Sequence, residues 1–211
     1  MIMETIDLNA VRDRITNPAE YMCYEPSTLR VLAIDATRPL AGVCRLWGDL
    51  GDITFRCETL GRNGEGAERL SRLTLWLRDV LAAEPPALTL LLGYGDLGVD
   101  AIGGTAELNG VLRLVLFEAG EKAIVVPPAD LRLWACGDSG APSGDVAFAA
   151  IRRFGSLVDT PEQAASAWLA EIGYHLQAGL DGSTEARRRV LHSLKCVQDH
   201  CQPQELPCAC K

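Results

Sequence analysis

The sequence has no excess of positive charge. It carries 20 Lys and Arg residues against 28 Asp and Glu residues, which gives a formal net charge of −8. Proteins that bind nucleic acid without specificity usually have more bases than acids, so a nucleic-acid role here must depend on a local patch. No apolar run approaches the roughly 20 residues of a membrane helix. Residues 1–20 mix acids with apolar residues and show no signal peptide. We therefore expect a cytoplasmic protein with no membrane partner.

The sequence also has no nucleophile-elbow, phosphate-loop or dinucleotide-binding motif. These absences argue against the common types of small-molecule enzyme. What the chain does have is 211 residues, of which 48% are hydrophobic and 23% charged. That composition is typical of a globular protein with one sizeable core.

Hydrophobic patterns predict an alternation of strands and helices. Short apolar runs between turn residues predict strands, and apolar residues at helical spacing predict helices. The predicted strands are Leu29–Ile34, Gly42–Trp47, Ile53–Thr59, Ala87–Leu92 and Ala123–Val126, and the predicted helices are Gly66–Ala83, Gly104–Glu118, Asp145–Phe154, Pro161–Gln177 and Ser183–Leu194. This order predicts an α/β protein with an RNase H-like fold, in which a mixed five-stranded sheet is flanked by helices. The first strand is then central, and Asp35 lies at its end, where such sheets place their functional residues.

Five segments together resemble one protein family. They are Val31–Gly42 with its Asp35, Leu90–Tyr94, Glu107–Gly120, Trp134–Gly155 and Ala164–Ala170. In this order they resemble the first two catalytic strands, the central helix, the DNA-facing loop with its helix, and the last catalytic helix of RuvC-like Holliday-junction resolvases, especially the phage-type members. The resemblance covers residues 29–179. It implies an RNase H-like fold, a homodimer, branched DNA as the partner and, for a phage-encoded chain, the host cytoplasm as the location.

The resemblance also implies a chemistry, the hydrolysis of phosphodiesters by two Mg²⁺ ions about 4 Å apart that converging carboxylates hold. In the family these acids stand on the first strand, the fourth strand and the last helix. Asp35 matches the first of them and Glu162 matches one on the helix, whereas Leu92 and Ala165 occupy the remaining positions. Asp96 is the nearest acid that could substitute for the one missing at Leu92.

The DNA-facing segment shows a second departure from the family. Its members usually present Lys or Arg there, and each such charge neutralises a phosphate. Here Gly137–Asp145 contains two acids and no base. Arg152 and Arg153 on the next helix are candidate DNA contacts, and a solvated helix face explains them equally well. Catalytic acids and DNA-binding cations are thus both replaced within a scaffold that otherwise matches, which favours an impaired nuclease.

The end of the chain is rich in metal-ligand residues. Thiolates together with an imidazole suit tetrahedral Zn²⁺. The candidate ligands are Cys196, His200, Cys201, Cys208 and Cys210. Their spacing differs from that of paired C-x2-C knuckles, so a reduced tail and incidental disulfides stay open as alternatives.

These patterns divide the chain into an N-terminal extension (1–28), a RuvC-like domain (29–180) and a C-terminal helix with a Cys/His-rich tail (181–211). They leave three functions open. The leading hypothesis is a catalytically impaired RuvC-like protein that serves as a binding or interaction module for branched DNA or a protein partner. The alternative is an active Mg²⁺-dependent endonuclease whose site is rearranged around Asp35, Asp96 and Glu162. The third is a zinc-stabilised interaction protein in which the tail is the functional element.

Overall fold

A computed structural model describes residues 29–37, 41–49, 52–60, 66–93 and 99–200, and of these, residues 99–105, 162 and 196–200 are described by their backbone only. The strands are β1 (Leu29–Asp35), β2 (Ala41–Asp49), β3 (Asp52–Leu60), β4 (Leu88–Leu92) and β5 (Ala123–Val126). The helices are α1 (Gly66–Ala83), α2 (Val99–Glu118), α3 (Pro128–Cys136), α4 (Ser143–Phe154), α5 (Pro161–Gln177) and α6 (Glu185–His200). A 3-10 turn at Gly155–Leu157 separates α4 from α5.

The strands form a mixed five-stranded sheet in the order β3-β2-β1-β4-β5. Strands β1, β2 and β3 are antiparallel neighbours, whereas β4 is parallel to both β1 and β5. The expected RNase H-like α/β architecture is therefore confirmed, including the central position of β1. Because β1 and β4 run in the same direction, their carboxyl ends meet at one edge of the sheet.

Each face of the sheet is covered by helices, so the protein has two core layers. Side chains alternate between the faces along a strand. Val31 and Ala33 pack in a cluster with α5, while Leu32 and Ile34 pack in another with α1 and α2. The alternation places Asp35 on the α5 face of the sheet. Helix α6 also contributes Val190, Leu191 and Leu194 to the α5 cluster.

Gly173 lets α5 approach the sheet closely. A Cβ atom at this position would lie 2.5 Å from Cγ1 of Val31 and 2.6 Å from Cδ1 of Leu90. The helix backbone therefore rests directly on the two central strands. This contact fixes the path of α5 across the sheet, and its first turn, which begins at Pro161, lies beside the end of β1.

The main departure from the sequence prediction is helix α3. The hydrophobic pattern predicts no helix between Val126 and Asp145, but Pro128 begins the nine-residue helix Pro128–Cys136. Proline is favoured at the first position of a helix, where its fixed φ suits the turn and its missing N–H is not needed. The helix Val99–Glu118 also starts five residues earlier than expected and includes Gly103 and Gly104.

No helix in the described part of the chain is long and apolar enough to cross a membrane. The long helix α2 packs against one face of the sheet, where its residues Leu108, Leu112 and Leu116 are buried.

Candidate functional site

Asp35 is held at the end of the central strand. Its side chain is buried, with 2% of the residue exposed. Its Oδ1 accepts a hydrogen bond from the backbone N–H of Thr37 at 2.9 Å and another from the Thr37 hydroxyl at 2.6 Å. Aspartate commonly bonds the backbone two residues ahead in this way and so forms a turn. The bonds fix the carboxylate direction at the edge of the sheet.

A cleft of about 560 Å³ opens over this carboxylate. Two strand ends contribute Asp35 and Leu92 to it, and the first turns of α5 contribute Pro161, Ala164 and Ala165. The facing wall consists of α3, the segment 137–142 and α4, with these lining residues: Pro128, Leu131, Arg132, Gly140, Ala141, Pro142, Ser143, Val146 and Ala147. The cleft therefore contains Asp35 together with Leu92 and Ala165, the two positions where the resembled family carries acids.

The sheet register places Leu92 beside Asp35. Ile34 on β1 is the partner of Leu91 on β4, so the next residues along these parallel strands are also neighbours. Adjacent strands are about 4.8 Å apart, and both residues lie on the α5 face. A carboxylate at position 92 would face that of Asp35 across this gap, whereas leucine provides no metal ligand.

The described residues do not fit a pair of Mg²⁺ ions. Among them, no three His, Cys, Asp or Glu side chains are grouped so that they could hold a metal. Nearby polar groups on α5 already have partners: the Ser166 hydroxyl donates to the Gln163 carbonyl at 3.0 Å, and Gln163 Oε1 accepts from the Asp159 N–H at 2.7 Å. Since Mg²⁺ needs several hard oxygen ligands, Asp35 alone cannot position two ions.

Several predicted site residues fall outside this description. Asp96 lies outside the described residues, and Glu162 is placed on the first turn of α5 by its backbone only. The candidate zinc ligands are also only partly described. Cys196 and His200 lie in the last turns of α6 and are described by their backbone only, and residues 201–211 lie beyond the described range. Their roles remain predictions.

Arg132 gives the cleft a cation that the sequence analysis missed. It lies on α3, lines the cleft, and its Nε donates to the Ser139 carbonyl at 2.7 Å. The segment 137–142 is further fixed by Asp138, whose Oδ1 accepts the Gly140 N–H at 2.9 Å. The segment is acidic in sequence, but a guanidinium from the adjacent helix lies against it. A proline at the start of a helical stretch was the signal that could have predicted α3 and its arginine.

The two candidate DNA-binding arginines on α4 have different surroundings. The Arg152 guanidinium lies 5.9 Å from the ring centre of the exposed Phe148. Arg153 instead contacts the buried carboxylate of Glu171, with its Nε and its Nη2 each 3.0 Å from Oε1. Arg152 is thus on an open surface, while Arg153 holds α4 against α5. Their proposed contacts with DNA remain predictions.

Glu171 links four helices through one buried carboxylate. Besides Arg153 of α4, its Oε2 accepts from Trp134 Nε1 of α3 at 2.9 Å and lies 3.6 Å from the guanidinium of Arg187 on α6. Arg187 lies over the Trp134 ring at 4.8 Å and over the Trp168 ring at 5.7 Å. A buried carboxylate is tolerated when it is paired and hydrogen-bonded. This network supports the wall of the cleft that α3 forms.

His175 adjoins this network and gives the fold a pH dependence. Burial lowers the pKa of His175 from its ordinary value of 6.5, and Arg187 and Arg153 lower it further, while Glu171 and a hydrogen bond with the Asp181 backbone oppose them. Between the unfolded pKa near 6.5 and the lowered pKa of the folded protein, the unfolded chain therefore binds more protons than the folded one. The stability that the neutral imidazole contributes is present above that interval and is lost as the pH falls through it, by up to about 1.4 kcal/mol per pH unit.

We expect His175→Phe to weaken this acid sensitivity. Phenylalanine keeps a ring against Trp134 and Tyr174, which contact His175 edge to face. The measurement is the free energy of unfolding in urea at about pH 7.5 and about pH 5.5 for both proteins. The wild type should lose more stability between the two pH values than the variant does. Equal losses would show that the acid sensitivity comes from other groups.

Two solved structures of RuvC from Thermus thermophilus superpose on this chain with a TM-score of 0.53. The fold is RuvC-like. In the first structure 17% of residues are identical, and the match covers 72% of this chain and 97% of the other. The second, which is RuvC in complex with a Holliday-junction substrate, is 15% identical, and the match covers 81% of this chain and 96% of the other.

At these identities the RuvC similarity establishes the fold alone. No family model matches the sequence, and no curated protein matches it. Any function must therefore be argued from the residues of the cleft.

Proposed function

We propose that this protein is a phage-type relative of the RuvC resolvases that no longer performs two-metal hydrolysis and acts as a binding module, with branched DNA as its ligand. The observation that carries the proposal is the composition of the cleft, where Leu92 and Ala165 lie with Asp35. The chemistry implied by the family needs carboxylates at those positions. Leucine and alanine can neither hold Mg²⁺ nor activate water.

Three features of the cleft support DNA binding. They are its volume, its position at the carboxyl ends of β1 and β4, and the guanidinium of Arg132, which can contact a phosphate backbone. Arg152 is exposed on α4 outside the cleft lining, next to the exposed Phe148, and is a second candidate phosphate contact. Because the second RuvC structure is a complex with a Holliday-junction substrate, a four-way junction is the first ligand to test. A protein partner is the other candidate ligand for the module.

A junction-binding and cleavage assay tests this function. We expect the protein to shift a labelled four-way junction in a gel and to leave it uncut in Mg²⁺ or Mn²⁺. Asp35→Asn should bind as the wild type does. Arg132→Gln should bind more weakly, and the slope of the logarithm of its binding constant against the logarithm of the salt concentration should be smaller by about one. Arg72→Gln is the matched control, because Arg72 pairs with Glu68 on α1, on the opposite side of the sheet.

Two outcomes would contradict the proposal. Cleavage that Asp35→Asn abolishes would establish the active-endonuclease alternative and would direct attention to Asp96 and Glu162. A junction that binds no better than a linear duplex would remove branched DNA as the ligand and favour a protein partner.

We also propose that the protein is a homodimer that pairs through α2. The outer side of this helix exposes large apolar side chains, with 54% of Leu114 and 79% of Phe117 accessible. Exposed apolar patches of this kind mark interaction surfaces. We expect Phe117→Glu to convert a dimer to a monomer in light scattering. Phe148→Glu, which changes an exposed phenylalanine on the opposite face, should leave the mass unchanged, and a wild-type monomer would refute the proposal.

A further inference from the structure

Two thiols face each other across the β2–β3 ladder. Cys44 and Cys57 are direct partners in the antiparallel register of these strands, and both are free cysteines. Direct partners in an antiparallel pair have Cα atoms about 4.5 to 5.5 Å apart. Disulfides need a Cα separation of about 4.4 to 6.8 Å. The register alone therefore brings the two residues within bonding range without movement of the backbone.

The side chains also point to the same side of the sheet, because direct partners in an antiparallel ladder share a face. Cys44 is part of the core cluster under α5, and Cys57 packs against that cluster. Cys44 is fully buried, whereas Cys57 is only partly buried on the outermost strand of the described sheet. Burial raises the pKa of the Cys44 thiol, and the neighbouring Cys57 raises it further. Cys57 is thus the thiol that a dissolved oxidant reaches first.

We propose that Cys44 and Cys57 form a redox-responsive dithiol that a peroxide converts to a cross-strand disulfide. In the first step the Cys57 thiolate attacks one oxygen of hydrogen peroxide, the O–O bond breaks, and the leaving hydroxide takes a proton to become water. In the second step the Cys44 sulfur attacks the Cys57 sulfenic acid, the S–O bond breaks, and the Cys44 proton leaves with the hydroxide as water. The sum is two thiols and one peroxide giving one disulfide and two waters.

The disulfide would join the edge strand to the sheet next to the cleft. Two residues beyond Cys57, the Thr59 hydroxyl contacts the Thr160 hydroxyl at 3.2 Å. Thr160 is the residue that caps the start of α5, and its side chain accepts the Gln163 N–H. The contact between Thr59 and Thr160 therefore connects the strand that carries Cys57 to the helix turn that supplies Ala164 and Ala165 to the cleft. Its formation does not depend on what the cleft binds.

Peptide mapping tests the proposal on the full chain. The folded protein is treated with hydrogen peroxide, remaining thiols are alkylated, and the product is digested with trypsin without reduction. The expected product joins Val31–Arg45, which contains Cys44, to Cys57–Arg62, and neither peptide holds a second cysteine. Dithiothreitol should separate the two peptides. The exposed Cys136 serves as an internal check that the oxidant has reached accessible thiols.

Two variants and one condition make the outcome decisive. Cys44→Ser should stop at a Cys57 sulfenic acid that a dimedone probe labels, and Cys57→Ser should leave the Cys44 thiol reduced under the same treatment. Loss of the Cys136 thiol without the linked peptide would overturn the proposal. A linked peptide that appears only after unfolding in urea would also overturn it, because the folded register would then not bring the thiols together.

Discussion

The double variant Leu92→Glu with Ala165→Asp is expected to bind Mn²⁺ at least about tenfold more tightly than the wild type, a gain of at least ~1.4 kcal/mol in binding free energy. The reason is the position of both residues in the cleft with Asp35. Carboxylates on β1, β4 and α5 would then converge, and hard divalent cations bind such sets of oxygens. Isothermal titration calorimetry of the folded proteins measures the difference.

The same variant should depend on the cation for its stability. Leu92 and Ala165 are 6% and 8% exposed, so the new carboxylates would be largely buried next to Asp35. Close buried carboxylates repel one another and lose hydration, which destabilises the fold without a cation. A ligand that binds only the folded state restores stability in proportion to its concentration. We therefore expect Mn²⁺ to raise the melting temperature of the variant and to leave that of the wild type nearly unchanged.

The neutral variant Leu92→Gln with Ala165→Asn is the matched control. Its side chains have nearly the same shapes as Glu and Asp but carry no charge. It should bind Mn²⁺ no better than the wild type, and adding Asp35→Asn to the acidic variant should remove most of the gain. If the acidic and neutral variants bind alike, the two positions do not converge on Asp35, and the proposal that their replacement impairs hydrolysis fails.

The sequence predicted the sheet and the end of the cleft that contains Asp35, because local patterns encode both. Short apolar runs bounded by turn residues or by Asp35 predicted all five strands, and the order of elements predicted that β1 would be central. Once β1 and β4 are parallel neighbours, the proximity of Leu92 to Asp35 follows from the register. The assignment of Leu92 and Ala165 to one site thus needed only the resemblance and the topology.

The opposite wall of the cleft could not be predicted in the same way. Helix α3 has nine residues and buries only Leu131 and Trp134 among its side chains, so its helical period is short and weak. Arg132 was therefore not assigned to the cleft. The Glu171 network joins side chains from separate helices, such as Trp134 and Glu171, which are 37 residues apart. A pairing over that distance leaves no periodic signal in the sequence.

Glu171→Ala is expected to cost about 3–5 kcal/mol of folding free energy, the range for removing one partner of a buried ion pair. The Glu171 side chain is 7% exposed and Arg187 is 18% exposed, so the substitution leaves a largely buried guanidinium without its anion. It also removes the acceptor of Trp134 Nε1. For a chain of this size, a loss of ~3 kcal/mol corresponds to a fall of roughly 6–12 °C in melting temperature. Urea unfolding followed by circular dichroism measures the loss.

Four further variants separate the buried charge from ordinary ion pairing. Glu171→Gln keeps an acceptor for Trp134 but removes the negative charge, so it should cost less than Glu171→Ala. Glu185→Ala removes an exposed ion pair with Arg188, in which the two side chains are 76% and 54% accessible, and should change stability by less than about 1 kcal/mol. Because Arg153 is 40% exposed and can turn toward water, Arg153→Met should cost less than Arg187→Met. Equal costs for the two arginine variants would contradict the view that Glu171 mainly neutralises the buried guanidinium of Arg187.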